Sequence, residues 1–80
     1  MAAQIDIHFT TVTQIKTFTQ IIMRLEGSYD LTSEDHYVIN AKSIMGIFSM
    51  DLSKKLTLID VDGHMTTEQL KEYFKEFLLE

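Results

Sequence analysis

The stretch IDIHFTTVTQIKTFTQIIMRLEG, residues 5–27, joins two hydrophobic patterns of different period. At its start apolar residues alternate with polar ones, which is typical of a β-strand with one buried face; they are Ile5, Ile7 and Phe9. Apolar residues then recur every three or four positions, as on the buried side of an amphipathic helix; they are Val12, Ile15, Phe18, Ile22 and Leu25. Thr11 and Gln14 have the spacing of a capping box, and Gly27 suits the helix end. We therefore expect a strand followed directly by a helix.

The same reasoning extends to the rest of the chain. Residues 29–33 and 37–41 are predicted strands, separated by a turn at Glu34-Asp35-His36. Ser43 precedes a short apolar helix over residues 44–50, and residues 55–61 are predicted to form a fourth strand. A last helix begins after a second capping box, with Met65 and Leu70 placed as its hydrophobic staple; its box residues are Thr66 and Gln69, and its apolar side holds Leu70, Tyr73, Phe74 and Phe77.

The predicted order is βαββαβα in one domain over residues 1–80. Strands that are half apolar and half polar imply a sheet with one covered face, on which amphipathic helices pack as a second layer. We expect an α+β open-faced β-sandwich, with a four-stranded antiparallel sheet covered on one face by three helices.

Composition excludes several classes of function. The chain has no cysteine, which excludes disulfides, thiol catalysis and thiolate-bound metal. The formal net charge is −5 and Arg24 is the single arginine, so we expect no nucleic-acid binding. The N-terminal residues lack the pattern of a signal peptide, and no apolar run approaches the roughly 20 residues needed to span a membrane. We therefore expect a cytoplasmic protein without a cofactor.

The segment INAKSIMGIFSM, residues 39–50, resembles the regulatory-serine segment of HPr, the histidine phosphocarrier of the bacterial sugar phosphotransferase system. It is most similar to the catabolite-repression HPr-like proteins, whose pattern is Asn-X-Lys-Ser-Ile-Met-Gly followed by an apolar pair and Ser-Leu. The resemblance implies an HPr-like fold and assigns Ser43 as the serine that an ATP-dependent HPr kinase/phosphorylase modifies. A phosphate at a helix start is stabilised by free amides and partial positive charge. The alternative is that Ser43 is only an N-cap, worth about 1 kcal/mol.

The resemblance also implies a docking surface on the helix that Ser43 opens. Its predicted partner-binding residues are Lys42, Ile44, Ile47 and Phe48. Among the apolar residues of this helix we expect Ile44 and Phe48 to be exposed and Met45 to be buried. The implied partners are HPr kinase/phosphorylase, a catabolite regulator or enzymes of the phosphotransferase system.

The chain departs from the phosphocarriers between the first strand and the first helix. Phosphocarriers have Gly-Ile-His-Ala-Arg-Pro there, whereas this chain has Phe9-Thr10-Thr11-Val12-Thr13. The phosphate-accepting histidine is missing, so we expect no catalytic residue and a serine-regulated binding protein rather than an enzyme. Two alternatives are an atypical phosphocarrier that uses another histidine, such as His8, and an interaction module that is not phosphorylated.

Two further groups of residues resemble metal sites only superficially. The three histidines, His8, His36 and His64, follow no metal-ligand spacing and are expected on the surface. Asp60, Asp62 and Gly63 lack the remaining ligands of a calcium loop and are expected to form the turn that ends the fourth strand.

Overall fold

A computed structural model describes residues 3–34, 37–50 and 54–79 of the chain. Its elements follow the predicted order βαββαβα. The strands are β1 (Gln4–Ile7), β2 (Tyr29–Ser33), β3 (Val38–Asn40) and β4 (Leu56–Asp60); the helices are α1 (Val12–Arg24), α2 (Ile44–Ser49) and α3 (Thr67–Tyr73), and a 3₁₀ turn covers Lys75–Phe77. Residues 35 and 36, in the turn predicted between β2 and β3, lie outside the described residues. So do residues 51–53, between α2 and β4.

The four strands form one antiparallel sheet in the order β1-β4-β2-β3. One face of the sheet is covered by all three helices, because residues from each helix belong to the same buried cluster as the inward side chains of β1, β2 and β4. Alternate strand residues point to opposite faces, so the other face keeps its polar residues in solvent. The predicted α+β open-faced sandwich is confirmed.

An aromatic cluster fastens the C-terminal segment to the first strand. The ring of Phe9 lies 5.2 Å from that of Phe18 and 5.6 Å from that of Phe77, in edge-on geometry. From Phe77 to Leu79 the backbone runs alongside β1. His8 N donates to Phe77 O at 2.9 Å, and Leu79 N donates to Asp6 O at 3.1 Å. The C-terminal residues therefore cover part of the outer edge of β1.

The predicted helix ends needed correction in detail. At the start of α1, Thr11 accepts a hydrogen bond from Gln14 N, but the Gln14 side chain accepts from Thr10 N at 2.6 Å instead of closing the box on Thr11. The second box, between Thr66 and Gln69, is complete. Helix α1 ends at a cap on Leu25, so Gly27 lies beyond the cap, where its φ of 97° is one that glycine adopts without strain.

Two residues predicted to face the core are exposed. Val12 is 57% exposed because it is the first residue of α1, one turn before the buried Ile15. Tyr73 is 52% exposed because α3 ends there and the chain tightens into the 3₁₀ turn, which brings Phe74 and Phe77 into the core instead.

The longest helix, α1, has 13 residues. Across residues 3–34, 37–50 and 54–79, no helix combines the length and the apolar character that a membrane crossing requires.

Candidate functional site

Ser43 is the N-cap of α2, as the sequence predicted. Its backbone is extended, with φ −93° and ψ 99°, and its hydroxyl accepts a hydrogen bond from Gly46 N at 3.2 Å. Ser43 N in turn donates to Asn40 O at 2.9 Å, which holds the cap against the end of β3. The side chain is exposed. Ser43 is thus a structural cap on an exposed residue, and its phosphorylation stays a prediction.

Helix α2 has a clear division between a buried and an exposed side. Ile47 is fully buried, whereas Ile44 is 46% exposed, Phe48 47% and Met45 82%. We call Ile44, Met45 and Phe48 the α2 surface. The expected exposure of Ile44 and Phe48 is confirmed, and the expected burial of Met45 is wrong.

Helical geometry explains the correction at Met45. Successive residues are rotated by about 100°, so Met45 lies roughly 160° around the helix from Ile47. Once Ile47 is the residue that enters the core, Met45 must face away from it. Burial also corrects the assignment of Ile47 as a docking residue, because its side chain offers no surface to a partner. Ile47 anchors the helix and thereby presents the three exposed side chains.

Lys42 is engaged within the chain. Its ammonium Nζ donates to Leu25 O at 2.7 Å, at the C-terminal end of α1, and lies 6.0 Å from the centroid of the buried Tyr29 ring. A cation at a helix C-terminus is favourable, because the last carbonyl groups carry partial negative charge. Lys42 therefore couples α1 to the connection that carries Ser43, and its predicted contact with a partner stays a prediction.

Helix α1 adds an apolar residue to this region that the sequence reasoning missed. Met23 is 62% exposed and lines a shallow groove of about 320 Å³, whose other lining residues are Ile44, Lys42, Thr19 and Gln20. The sequence did carry a signal, since Met23 is a large apolar residue that falls off the core-facing stripe of α1. The α2 surface is consequently continuous, through Ile44, with an apolar groove on α1.

The segments that build this region carry no acidic residue. Residues 8–25 and 37–50 contain neither aspartate nor glutamate, although the chain has twelve acidic residues, and their basic residues are Lys16, Arg24 and Lys42. The negative charge of the chain is therefore concentrated in other segments. A phosphate on Ser43 would meet no carboxylate from its own helix or from β3.

The N-terminus of α1 carries no phosphate-accepting side chain of the phosphocarrier type. Phe9 is buried, Thr10 binds Gln14 and Thr11 caps the helix. His8 is partly exposed just before this segment, and its use as a substitute phosphoacceptor stays a prediction.

The remaining predicted sites are structural or lie outside the described residues. Asp60 is fully buried and accepts hydrogen bonds from Gly63 N and Met65 N, so the turn predicted at the end of β4 is confirmed. His64 is exposed beside Asp62, with 3.9 Å between Nε2 and Oδ2. His36 falls in the part not described. Among the described residues there is no group of three side chains that could hold a metal ion.

Comparison with known proteins finds no matching family model, no matching curated protein and no matching solved structure. The resemblance to HPr therefore rests on the sequence of residues 39–50 and stays a prediction.

Proposed function

We propose that this chain is an HPr-like regulatory binding protein of carbon-source control, acting in the cytoplasm through the α2 surface and regulated by phosphorylation of Ser43. One observation carries the proposal. An exposed serine lies at the start of a helix that presents Ile44, Met45 and Phe48 to solvent and buries Ile47. Three large apolar side chains are exposed together on a six-residue helix, and contiguous apolar patches of this kind mark docking sites for other proteins.

The switch follows from the position of the serine. Phosphorylation adds a charge of about −1.5 to −2 and three strong acceptor oxygens at pH 7. That charge would lie next to Ile44, at the border of the α2 surface. A partner that buries this border against apolar residues would be repelled, and one that offers an arginine or lysine there would be favoured. Phosphate on Ser43 would thus select between partners.

The supporting chemistry favours binding over phosphotransfer. The sequence at the start of α1 lacks the histidine, arginine and proline of the phosphocarriers, and the hydroxyls of Thr10 and Thr11 are hydrogen-bonded to Gln14. The proposed partners are HPr kinase/phosphorylase, a catabolite regulator and enzymes of the phosphotransferase system, with no cofactor required of this chain.

The test is the intact mass of the chain after incubation with HPr kinase/phosphorylase and ATP. We expect one added phosphate on the wild type and none on Ser43→Ala. Thr66→Ala is the matched control, because Thr66 caps α3 with the same hydrogen bond, from Gln69 N at 3.1 Å. That variant should still be modified.

Two results would contradict the proposal: no added mass under conditions that modify an ordinary HPr, or a phosphate that persists on Ser43→Ala. In the first case the interaction module without phosphorylation becomes the better explanation. A parallel incubation with enzyme I and phosphoenolpyruvate covers the other alternative, since an acid-labile phosphate would indicate an atypical phosphocarrier.

A further inference from the structure

The two edges of the sheet are protected very differently. At the β1 edge, Leu79 N donates to Asp6 O, His8 N donates to Phe77 O, and Ile7 forms a bridge with Leu78. The C-terminal residues thereby occupy part of that edge. It also carries a charged side chain, Asp6, with Lys55 Nζ 3.9 Å from its carboxylate. Charges and covering segments are two of the devices by which proteins prevent strand edges from pairing with other chains.

The β3 edge has outward backbone groups. On its inner side β3 pairs with β2 through alternate residues: Ser33 N donates to Tyr37 O at 3.0 Å and Ala41 N donates to Tyr29 O at 2.7 Å. In an antiparallel pair the intervening residues point their N–H and C=O groups the other way. The backbone groups of Val38 and Asn40 therefore face outward. The carbonyl of Asn40 accepts from Ser43 N and retains a second lone pair.

The side chains at this edge do not protect it. Residues 37–41, YVINA, include no charge and no proline in a chain of net charge −5. Tyr37 is 66% exposed and Val38 59%, and both residue types favour strands. The three-residue length of β3 is the one usual safeguard present among the described residues of this edge.

We infer that the β3 edge pairs with the β3 edge of a second copy of this chain, antiparallel about a two-fold axis at Ile39. In this register Val38 of one copy lies opposite Asn40 of the other, so the outward backbone groups of both residues find partners in both copies. The two four-stranded sheets become one continuous sheet of eight strands.

The symmetric register favours a second copy as the occupant, and the uncharged edge lets two copies approach each other. Two chains of net charge −5 repel each other over most of their surface, and residues 37–41 offer a meeting place without carboxylates on either side. In the β3 register the large Tyr37 falls opposite the small Ala41, and Ile39 faces its own equivalent. The pairing shares the Asn40 carbonyl with Ser43 N but uses neither the Ser43 side chain nor phosphate, so it is tested independently of the proposed function.

The test is sedimentation equilibrium of the wild type from micromolar to millimolar concentration. Because the paired segment is short, association should be weak, with the average mass rising from 9.3 kDa towards twice that value at the upper end. Val38→Lys places a charge on the edge and should hold the mass at the monomer value. Gln4→Lys makes the same change in charge on β1 and should dimerise like the wild type, as should Ser43→Ala.

A wild type that remains at 9.3 kDa at every concentration would overturn the inference. This holds even if the β3 edge then proves to bind a strand of another protein. Dimerisation by a folded Val38→Lys variant would also overturn it. Amide hydrogen exchange of the wild type provides a test that needs no variant. Exchange at Val38 and Asn40 should slow as concentration rises, and exchange that does not depend on concentration would contradict the pairing.

Discussion

Replacing Lys42 by methionine should destabilise the fold, because it removes the cation that caps α1. The Nζ of Lys42 lies 2.7 Å from Leu25 O, a short hydrogen bond from a charged donor. Hydrogen bonds to charged groups contribute about 1.5–3 kcal/mol, and a cation at a helix C-terminus about 0.3–1 kcal/mol. The contact with the Tyr29 ring, at 6.0 Å, is at the outer limit of a cation–π interaction.

Solvent reaches part of Lys42, so the lower end of these values applies. We expect Lys42→Met to lower the free energy of unfolding by about 1.5–2 kcal/mol. In a domain of this size each 1 kcal/mol moves the midpoint of thermal unfolding by about 4–8 °C, so the midpoint should fall by roughly 6–16 °C. Methionine keeps the unbranched stem of lysine, which separates loss of the charge from loss of packing.

Urea denaturation followed by circular dichroism measures this effect. Lys16→Met is the control, because it is the same substitution at an exposed position of α1 and should change the free energy of unfolding by less than about 0.5 kcal/mol. If Lys42→Met were as stable as Lys16→Met, with the same denaturant dependence, the ammonium would not cap α1 and the coupling between α1 and the Ser43 connection would be refuted.

Three further predictions concern the core, the turns and a buried phenol. Ile47→Ala should lower the free energy of unfolding, measured by urea denaturation, by about 2–5 kcal/mol, because Ile47 is fully buried. Met45→Ala should lower it by less than about 0.5 kcal/mol, because Met45 is exposed, and similar losses in the two variants would contradict the division of α2 into a buried and an exposed side. Gly27→Ala should lower the thermal midpoint more than Gly63→Ala. Both glycines have positive φ, but only at Gly27 would a Cβ meet side chains: it would displace the exposed ring of His64, and it would lie 3.0 Å from Asp62 Oδ2, which accepts a hydrogen bond from Ser28 N. An equal loss in the two variants would refute the crowding. Burial, assisted by the nearby carboxylates of Asp60 and Asp62, raises the pKa of Tyr29. The folded chain should therefore lose stability as pH rises above the ordinary tyrosine pKa of about 10. In a titration followed by phenolate absorbance, the wild type should show a tyrosine that ionises late and Tyr29→Phe should lack it; identical titrations of the two would contradict the raised pKa.

The fold was predictable from the sequence because local signals and hydrophobic period agree along most of the chain. The alternation through Ile7 and the capping hydroxyls of Thr11 and Thr66 define element type and position with little help from tertiary contacts. The bounds of β2 were predicted without error, because one face of the strand is buried and the strand ends where the alternation of apolar and polar residues ends.

The candidate site was less predictable, for physical reasons that differ between residues. Helix α2 is nearly apolar all round, so its sequence does not say which side enters the core; that depends on how Ile47 packs against the sheet. The role of Lys42 depends on a carbonyl 17 residues away in the chain. The contribution of Met23 depends on how α1 lies beside α2, which no local pattern specifies.

The most direct measurement is the mapping of HPr kinase/phosphorylase onto the isotope-labelled chain by NMR. On titration with the kinase, we predict that the largest chemical-shift changes fall on Ser43 and on the α2 surface, at Ile44, Met45 and Phe48, and extend to Met23 across the groove. Largest changes on the open face of the sheet, at Asp30 or Thr57 for example, or the absence of changes at concentrations where the kinase binds an ordinary HPr, would contradict a docking surface on α2.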